Sequence, residues 1–146
     1  MSARSVVATV LATLVVCTHD WARAESIEVT VEVLAVRSER GRVLVALHED
    51  RRSFPSRWER AVAFAATSAA SGSASLTLKL PRAGRYALIV VHDEDNDGRM
   101  TKNVLGLPRE GYATGRNATS LEFPFFDTAQ IDCAAGTRAS IRLLYP

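Results

Sequence analysis

Cysteine is scarce in this sequence: 146 residues hold two, Cys17 and Cys133. No cluster of thiols exists to bind zinc or an iron–sulfur centre. Charge of one sign is also lacking. Lys and Arg number 18 against 16 Asp and Glu, a net charge of +2, so no strong field is directed at nucleic acid or an anionic surface. No apolar run reaches the roughly 20 residues that a spanning helix needs. No Gly-x-Ser-x-Gly nucleophile elbow and no phosphate-binding glycine loop is present. What is there is ordinary globular usage, 47% hydrophobic and 23% charged, in a length that suits one domain.

The first residues have the layout of an export signal. Arg4 supplies a positive start, Val6 to Val16 is an uncharged apolar run, and Ala22-Arg23-Ala24 is a small-x-small cleavage site. The cut is expected after Ala24, giving a signal peptide over 1–24 and a single mature domain over 25–146. The expected location is the periplasm. Secretion is an alternative, as is a lipid anchor on Cys17, although Val16 is larger than the small residue such sites carry. Cleavage removes Cys17, so Cys133 has no internal partner for a disulfide and reads as a small buried apolar residue.

The mature sequence runs on a period of two. Ile27, Val29, Val31 and Val33 alternate with Glu28, Thr30 and Glu32; after a turn at Ser38-Glu39-Arg40-Gly41, Val43, Val45 and Leu47 alternate with Leu44, Ala46 and His48. Alternation puts the two sets on opposite faces of a strand, and the two segments read as an antiparallel hairpin. Arg57 to Ala66 fits either a helix or a strand. Leu76, Leu78 and Leu80 mark another strand, and Pro81-Arg82-Ala83-Gly84 another turn. Arg85 to His92 is a nearly continuous apolar run, as expected of a central strand covered on both faces. A long glycine- and proline-bearing stretch follows, from Asp93 to Phe125. Strands are expected around Ala129–Cys133 and again from Ala139 to Tyr145. The pattern predicts an all-β protein: an antiparallel β-sandwich of about seven strands, immunoglobulin-like or transthyretin-like.

One constellation carries chemistry, Asp93-Glu94-Asp95-Asn96-Asp97-Gly98. In a calcium loop, the first, third and fifth positions offer carboxylates, a glycine at the sixth turns the chain, and the seventh offers its carbonyl, here that of Arg99. Asp93, Asp95, Asp97 and Arg99 are therefore the candidate ligands of a Ca2+ ion. The ninth and twelfth positions are Thr101 and Val104, so the usual bidentate glutamate is missing; Asn103, Glu110 and Asp127 are candidates for a further oxygen. A solvated turn rich in Asp, Asn and Gly explains the same residues without an ion.

His48 and His92 are candidate ligands or general bases, and Glu94, Glu110 and Asp127 are candidates for acid–base pairing. No set of nucleophile, base and orienting group can be assembled from sequence, so the chain is read as non-enzymatic; a small hydrolase using His92 and nearby carboxylates ranks lowest. Trp58, Tyr112, Phe123, Phe125 and Phe126 read as plugs closing the end of the sandwich; alternatively, Tyr112 and the Phe123–Phe126 region would serve an accessory module binding a glycan or a protein of the cell envelope. Asn117-Ala118-Thr119 fits a glycosylation acceptor.

Two segments carry a family resemblance. They are Leu80-Pro81…Gly84-Arg85-Tyr86-Ala87…Val91-His92-Asp93-Glu94-Asp95-Asn96-Asp97-Gly98, and Leu105-Gly106-Leu107-Pro108-Arg109-Glu110-Gly111-Tyr112. Together they resemble the bacterial domain-of-unknown-function family number 2141. That resemblance implies a β-sandwich and export, and it implies no reaction. The family often has an acidic residue where Thr101 stands and a glycine where Ala113 stands. The Tyr-Arg-Gly-Ser ending of transthyretin-like hydrolases is absent; the last residues are Leu143-Leu144-Tyr145-Pro146.

Overall fold

A computed structural model describes residues 25–117 and 123–146. The expected signal peptide lies outside the described residues. The described residues form eight strands, in the order β1 (Ile27–Val36), β2 (Arg42–His48), β3 (Ala63–Ser68), β4 (Gly72–Leu80), β5 (Gly84–Asp93), β6 (Gly111–Thr114), β7 (Gln130–Cys133) and β8 (Thr137–Arg142). One three-residue 3-10 turn, Trp58–Arg60, precedes β3. Among the described residues, no helix is long and apolar enough to cross a membrane.

The strands make two sheets. One has three strands in the order β4-β1-β8; the other has five, with β3-β2-β5-β6 along one path and β7 also on β5. β6 and β7 share one edge of β5, since β6 pairs with Ile89–His92 and β7 with Gly84–Ala87. The all-β sandwich expected from the alternation is what forms, with eight strands instead of about seven. The additional strand is β6, four residues inside the stretch that reads as irregular.

The expected β1–β2 hairpin does not form. β1 pairs antiparallel with β4 and parallel with β8, while β2 lies in the other sheet between β3 and β5. The reason is in β2 itself. Val43, Val45 and Leu47 point into the main core, while Leu44 and Ala46 are buried on the opposite face. A strand covered on both faces sits inside its sheet with both edges paired. β1 instead bulges at Ala35, whose φ is 61°, and its register against β4 shifts there. The inward residues accordingly step from Val33 to Val36, and the chain crosses to the second layer. The ambiguous segment 57–66 divides into the 3-10 turn and β3.

The core lies between the sheets. Val29, Val31, Val33, Leu76, Leu78 and Leu80 meet Val43, Val45, Leu47, Leu88 and Val90, with Cys133 and Ile141 at the margins. Full burial of each such side chain is worth about 1.5–3 kcal/mol, so the interlayer contact is the main source of stability. Cys133 is free and buried, and burial raises its thiol pKa. The outer face of the three-stranded sheet is polar; Glu28 and Lys79 face each other across β1 and β4 at 3.8 Å.

Tyr145 closes one end of the sandwich. Its hydroxyl accepts from the Arg37 amide at 3.1 Å and lies 2.8 Å from His92 Nδ1, and the Arg37 guanidinium sits 4.4 Å from the ring centroid. The ring rests on Gly111, where a Cβ would come within 2.2 Å of it. Substitution Gly111→Ala is therefore expected to displace Tyr145 and to destabilise the protein by about 1–3 kcal/mol, as overpacking does. Urea unfolding of the full chain measures it, and an unchanged midpoint would refute the packing role.

Candidate functional site

The acidic loop begins on the last residue of β5. Asp93 is fully buried and accepts three hydrogen bonds: Arg42 Nε donates to Oδ2 at 2.9 Å, the Gly98 amide donates to the same oxygen at 3.0 Å, and the Asp97 amide donates to Oδ1 at 3.1 Å. The loop closes over this carboxylate. Asn96 and Gly98 take positive φ values of 62° and 76°, conformations that Asn and Gly tolerate best. Gly41 is needed underneath. Its φ is 71°, and a Cβ there would stand 1.9 Å from the Asp93 carbonyl oxygen, so only glycine lets the β1–β2 connection approach.

Asp95 and Asp97 are exposed and turned back onto the loop. Asp95 accepts from the Asp97 amide at 3.2 Å and from the Thr101 hydroxyl at 2.9 Å; Asp97 accepts from the Arg99 amide at 2.7 Å. The Thr101 hydroxyl, followed by the Asp97 amide, holds the Asp95 carboxyl below its ordinary pKa. The three sequence-predicted aspartates are thus brought together: one carboxylate oxygen from each lies within 4.8 Å of the others. A carboxylate offers about four lone-pair sites, and the bonds above leave oxygens of all three with capacity. Arg42 offsets one of the three negative charges, and the remaining two match a divalent cation.

Glu110 does not join them as a ligand. It is buried, and its two oxygens accept from the Glu94 amide at 2.8 Å and the Thr101 amide at 3.0 Å. It ties the two ends of the loop together from the start of β6. Burial raises its pKa, the two amides pull it down, and Asp95 and Asp93 raise it further. Asn103 turns inward on the loop tip, where its side-chain oxygen accepts from the Leu105 and Leu107 amides. Asp127 is distant in role, paired with Arg51. Glu94 is held by Arg37 and Ser38, and the Arg37 bond foremost lowers its pKa.

Both histidines are buried and hydrogen-bonded within the fold. His92 is buried with Nε2 2.8 Å from the Arg40 carbonyl and Nδ1 2.8 Å from the Tyr145 hydroxyl. The carbonyl can only accept, so Nε2 carries the proton and Nδ1 accepts from Tyr145. His48 is also buried, with Nδ1 2.8 Å from Ser53 Oγ. The Ser53 hydroxyl donates to the Asp50 carbonyl at 2.8 Å, so His48 Nδ1 is the donor in that pair. This leaves Nε2 buried and unpartnered. The pairing resembles a nucleophile–base dyad in composition, yet the serine is buried and its proton already committed. Asn117 is likewise used structurally: its amide donates to the Ser140 carbonyl at 2.7 Å and its oxygen accepts from the Arg142 amide at 2.8 Å, which does not suit a glycan acceptor. Residues 118–119 of that triplet lie outside the described residues.

The aromatic residues divide. Tyr112 is buried on the outer face of the five-stranded sheet, Phe126 is half-buried against Phe54, and Phe123 and Phe125 are exposed, 69% and 61%, with ring centroids 5.1 Å apart. Beside them lies a groove of about 810 Å³ with Ile89, Val91 and Tyr112 on its floor. Of the aromatic residues singled out from the sequence, Trp58, Tyr112 and Phe123 line it; its floor on the outer face of β5 is not legible there, because that apolar run reads simply as core.

The model of the family described as "Uncharacterized protein conserved in bacteria (DUF2141)" matches residues 31–141. The chain belongs to this family. The match spans β1 to β8 and includes the acidic loop, the Glu110 brace and the groove floor. No curated protein and no solved structure shows a detectable match.

Two outcomes follow from the bonding. Replacing Glu110 with Ala leaves two amides without acceptors, and unfolding free energy should fall by about 2 kcal/mol in denaturant titration. Burial lowers the His48 pKa below 6.5. The unfolded chain therefore takes up a proton before the folded one, so the His48 contribution is complete above pH 6.5 and declines as pH falls toward the folded-state value. A stability profile from pH 7.5 to 5 should show this decline, and His48→Gln should flatten it; parallel profiles would refute it.

Proposed function

We propose that this family member is an exported, non-enzymatic β-sandwich module whose acidic loop binds calcium. The observation that carries the reading is the convergence of Asp93, Asp95 and Asp97 oxygens within 4.8 Å on a loop pre-shaped by its own amides. Calcium takes six to eight oxygens. Three carboxylates and the Arg99 carbonyl supply the protein's share, and water supplies the rest. The ion would stiffen the β5–β6 connection, which Glu110 already anchors at both ends. Without a bidentate glutamate the affinity belongs with weak extracellular sites, a Kd of about 0.1–1 mM. Commitment of both nitrogens of His92 and of the Ser53 proton supports the non-enzymatic reading. Location in the periplasm rests on the leader sequence alone.

A second reading has its own support. The exposed, adjacent rings of Phe123 and Phe125 suit an accessory module that holds an envelope glycan or protein. Titration of the full chain with oligosaccharide, comparing Phe123→Ser with the parent, tests that surface.

For calcium, thermal and chemical unfolding of the full chain is compared in EDTA and in excess calcium. One-site linkage predicts about 1.4 kcal/mol of stabilisation at a tenfold excess over Kd. The double variant Asp95→Asn/Asp97→Asn should lose that response and keep the fold, since both residues are exposed. Superimposable curves in EDTA and at 10 mM calcium would overturn the ion site.

A further inference from the structure

The five-stranded sheet is apolar on both faces, yet only one face meets the other sheet. Leu44, Ala46, Ile89, Val91 and Tyr112 make a second cluster on the outside, and Phe54, Trp58, Ala61 and Met100 pack against it in part. The part left open is the groove of about 810 Å³, a size within the range of small-molecule sites, which is about 300–1,000 Å³. Three connections wall it: that between β2 and β3 through Pro55 and Trp58, that between β5 and β6 through Met100 and Leu107, and that between β6 and β7 through Phe123.

The charged side chains of the lining are of one sign. No Asp, Glu, Asn or Gln side chain lines the groove, and its charged side chains are Arg99 and Lys102. Five arginines elsewhere are held in ion pairs: Arg37 with Glu94, Arg42 with Asp93, Arg51 with Asp127, Arg82 with Glu49 and Arg85 with Asp132. Arg99 and Lys102 have neither an ion pair nor a side-chain hydrogen bond among the described residues. Two uncommitted cations beside an apolar trough are complementary to a molecule with one greasy body and one anionic end.

We propose that this groove binds a single-chain amphipathic anion, a free fatty-acid carboxylate, with its hydrocarbon along Ile89, Val91 and Tyr112 and its carboxylate at Arg99 and Lys102. A sugar fits less well, because the lining has no carboxylate or amide side chain to accept from its hydroxyls. A bilayer fits less well because the apolar floor lies between three walls. The site does not depend on the ion: the β5–β6 loop is held by Glu110 and by Asn103 through bonds within the protein.

The test is calorimetric titration and equilibrium dialysis of the full chain with dodecanoate below its micelle concentration. EDTA is present throughout, so this result is separate from the calcium response. Dodecyltrimethylammonium, dodecyl maltoside, an oligosaccharide and anionic phospholipid vesicles serve as comparison probes. Saturable one-to-one binding of dodecanoate, stronger than that of the cationic or neutral amphiphile, is expected. Arg99→Ala/Lys102→Ala should weaken dodecanoate about tenfold and leave dodecyl maltoside unchanged, as loss of charge recognition requires. Leu107→Glu, at an exposed position on the wall, should abolish binding without altering the melting temperature. Equal binding of the cationic amphiphile, binding to vesicles or oligosaccharide alone, or absence of saturable dodecanoate binding would each overturn the proposal.

Discussion

Burial of β5 on both faces is the constraint on which the rest of the structure depends. Every residue from Tyr86 to Asp93 is buried. Leu88 and Val90 face the opposing sheet, while Ile89 and Val91 face outward. A strand covered twice needs both edges paired, and β5 receives β2 on one side and β6 with β7 on the other. Its inner face builds the core, its outer face floors the groove, and its last residue, Asp93, is the buried base of the acidic loop. One strand thereby places the core, the acidic loop and the groove in a fixed relation.

The loop that leaves β5 is ordered by carboxylates acting on backbone amides. Asp93, Asp95, Asp97 and Glu110 each accept from at least one amide of the β5–β6 connection or its start. An excess of acceptors over donors concentrates negative charge on a small bend, which Arg42 and Arg37 offset from below. The same loop carries Arg99 and Lys102 over the groove. One segment therefore holds both the gathered carboxylates at the turn and two cationic residues of the groove lining.

Much of the architecture was legible in the sequence because alternation reports directly on which side of a strand is wet. Val29, Val31 and Val33, and the run from Tyr86 to His92, behaved as their patterns require. The convergence of Asp93, Asp95 and Asp97 followed from their spacing and from Gly98. Partner choice was not legible. The turn at Ser38–Gly41 has the same composition whether it joins paired strands or carries the chain between layers, and the bulge at Ala35 has no residue signature. Strand β6 escaped notice because Gly111-Tyr112-Ala113-Thr114 is short, and its pairing relies on β5 and on the Tyr112–Leu144 bridge far along the chain. Glu110 as a brace and Ser53 as the partner of His48 were invisible for a similar reason. A side chain's bond to a distant amide or hydroxyl leaves no periodicity.

The parallel contact between β1 and β8 also bears on how the molecule is made. β1 pairs through Val29–Leu34 with β8, so the three-stranded layer stays open until the chain has been made as far as β8. Until then the greasy side of β1 and β4 has an unfinished border, and assembly must wait for a contact between opposite ends of the sequence. Such late closure slows acquisition of the native state and lengthens the interval in which an incomplete sheet is exposed.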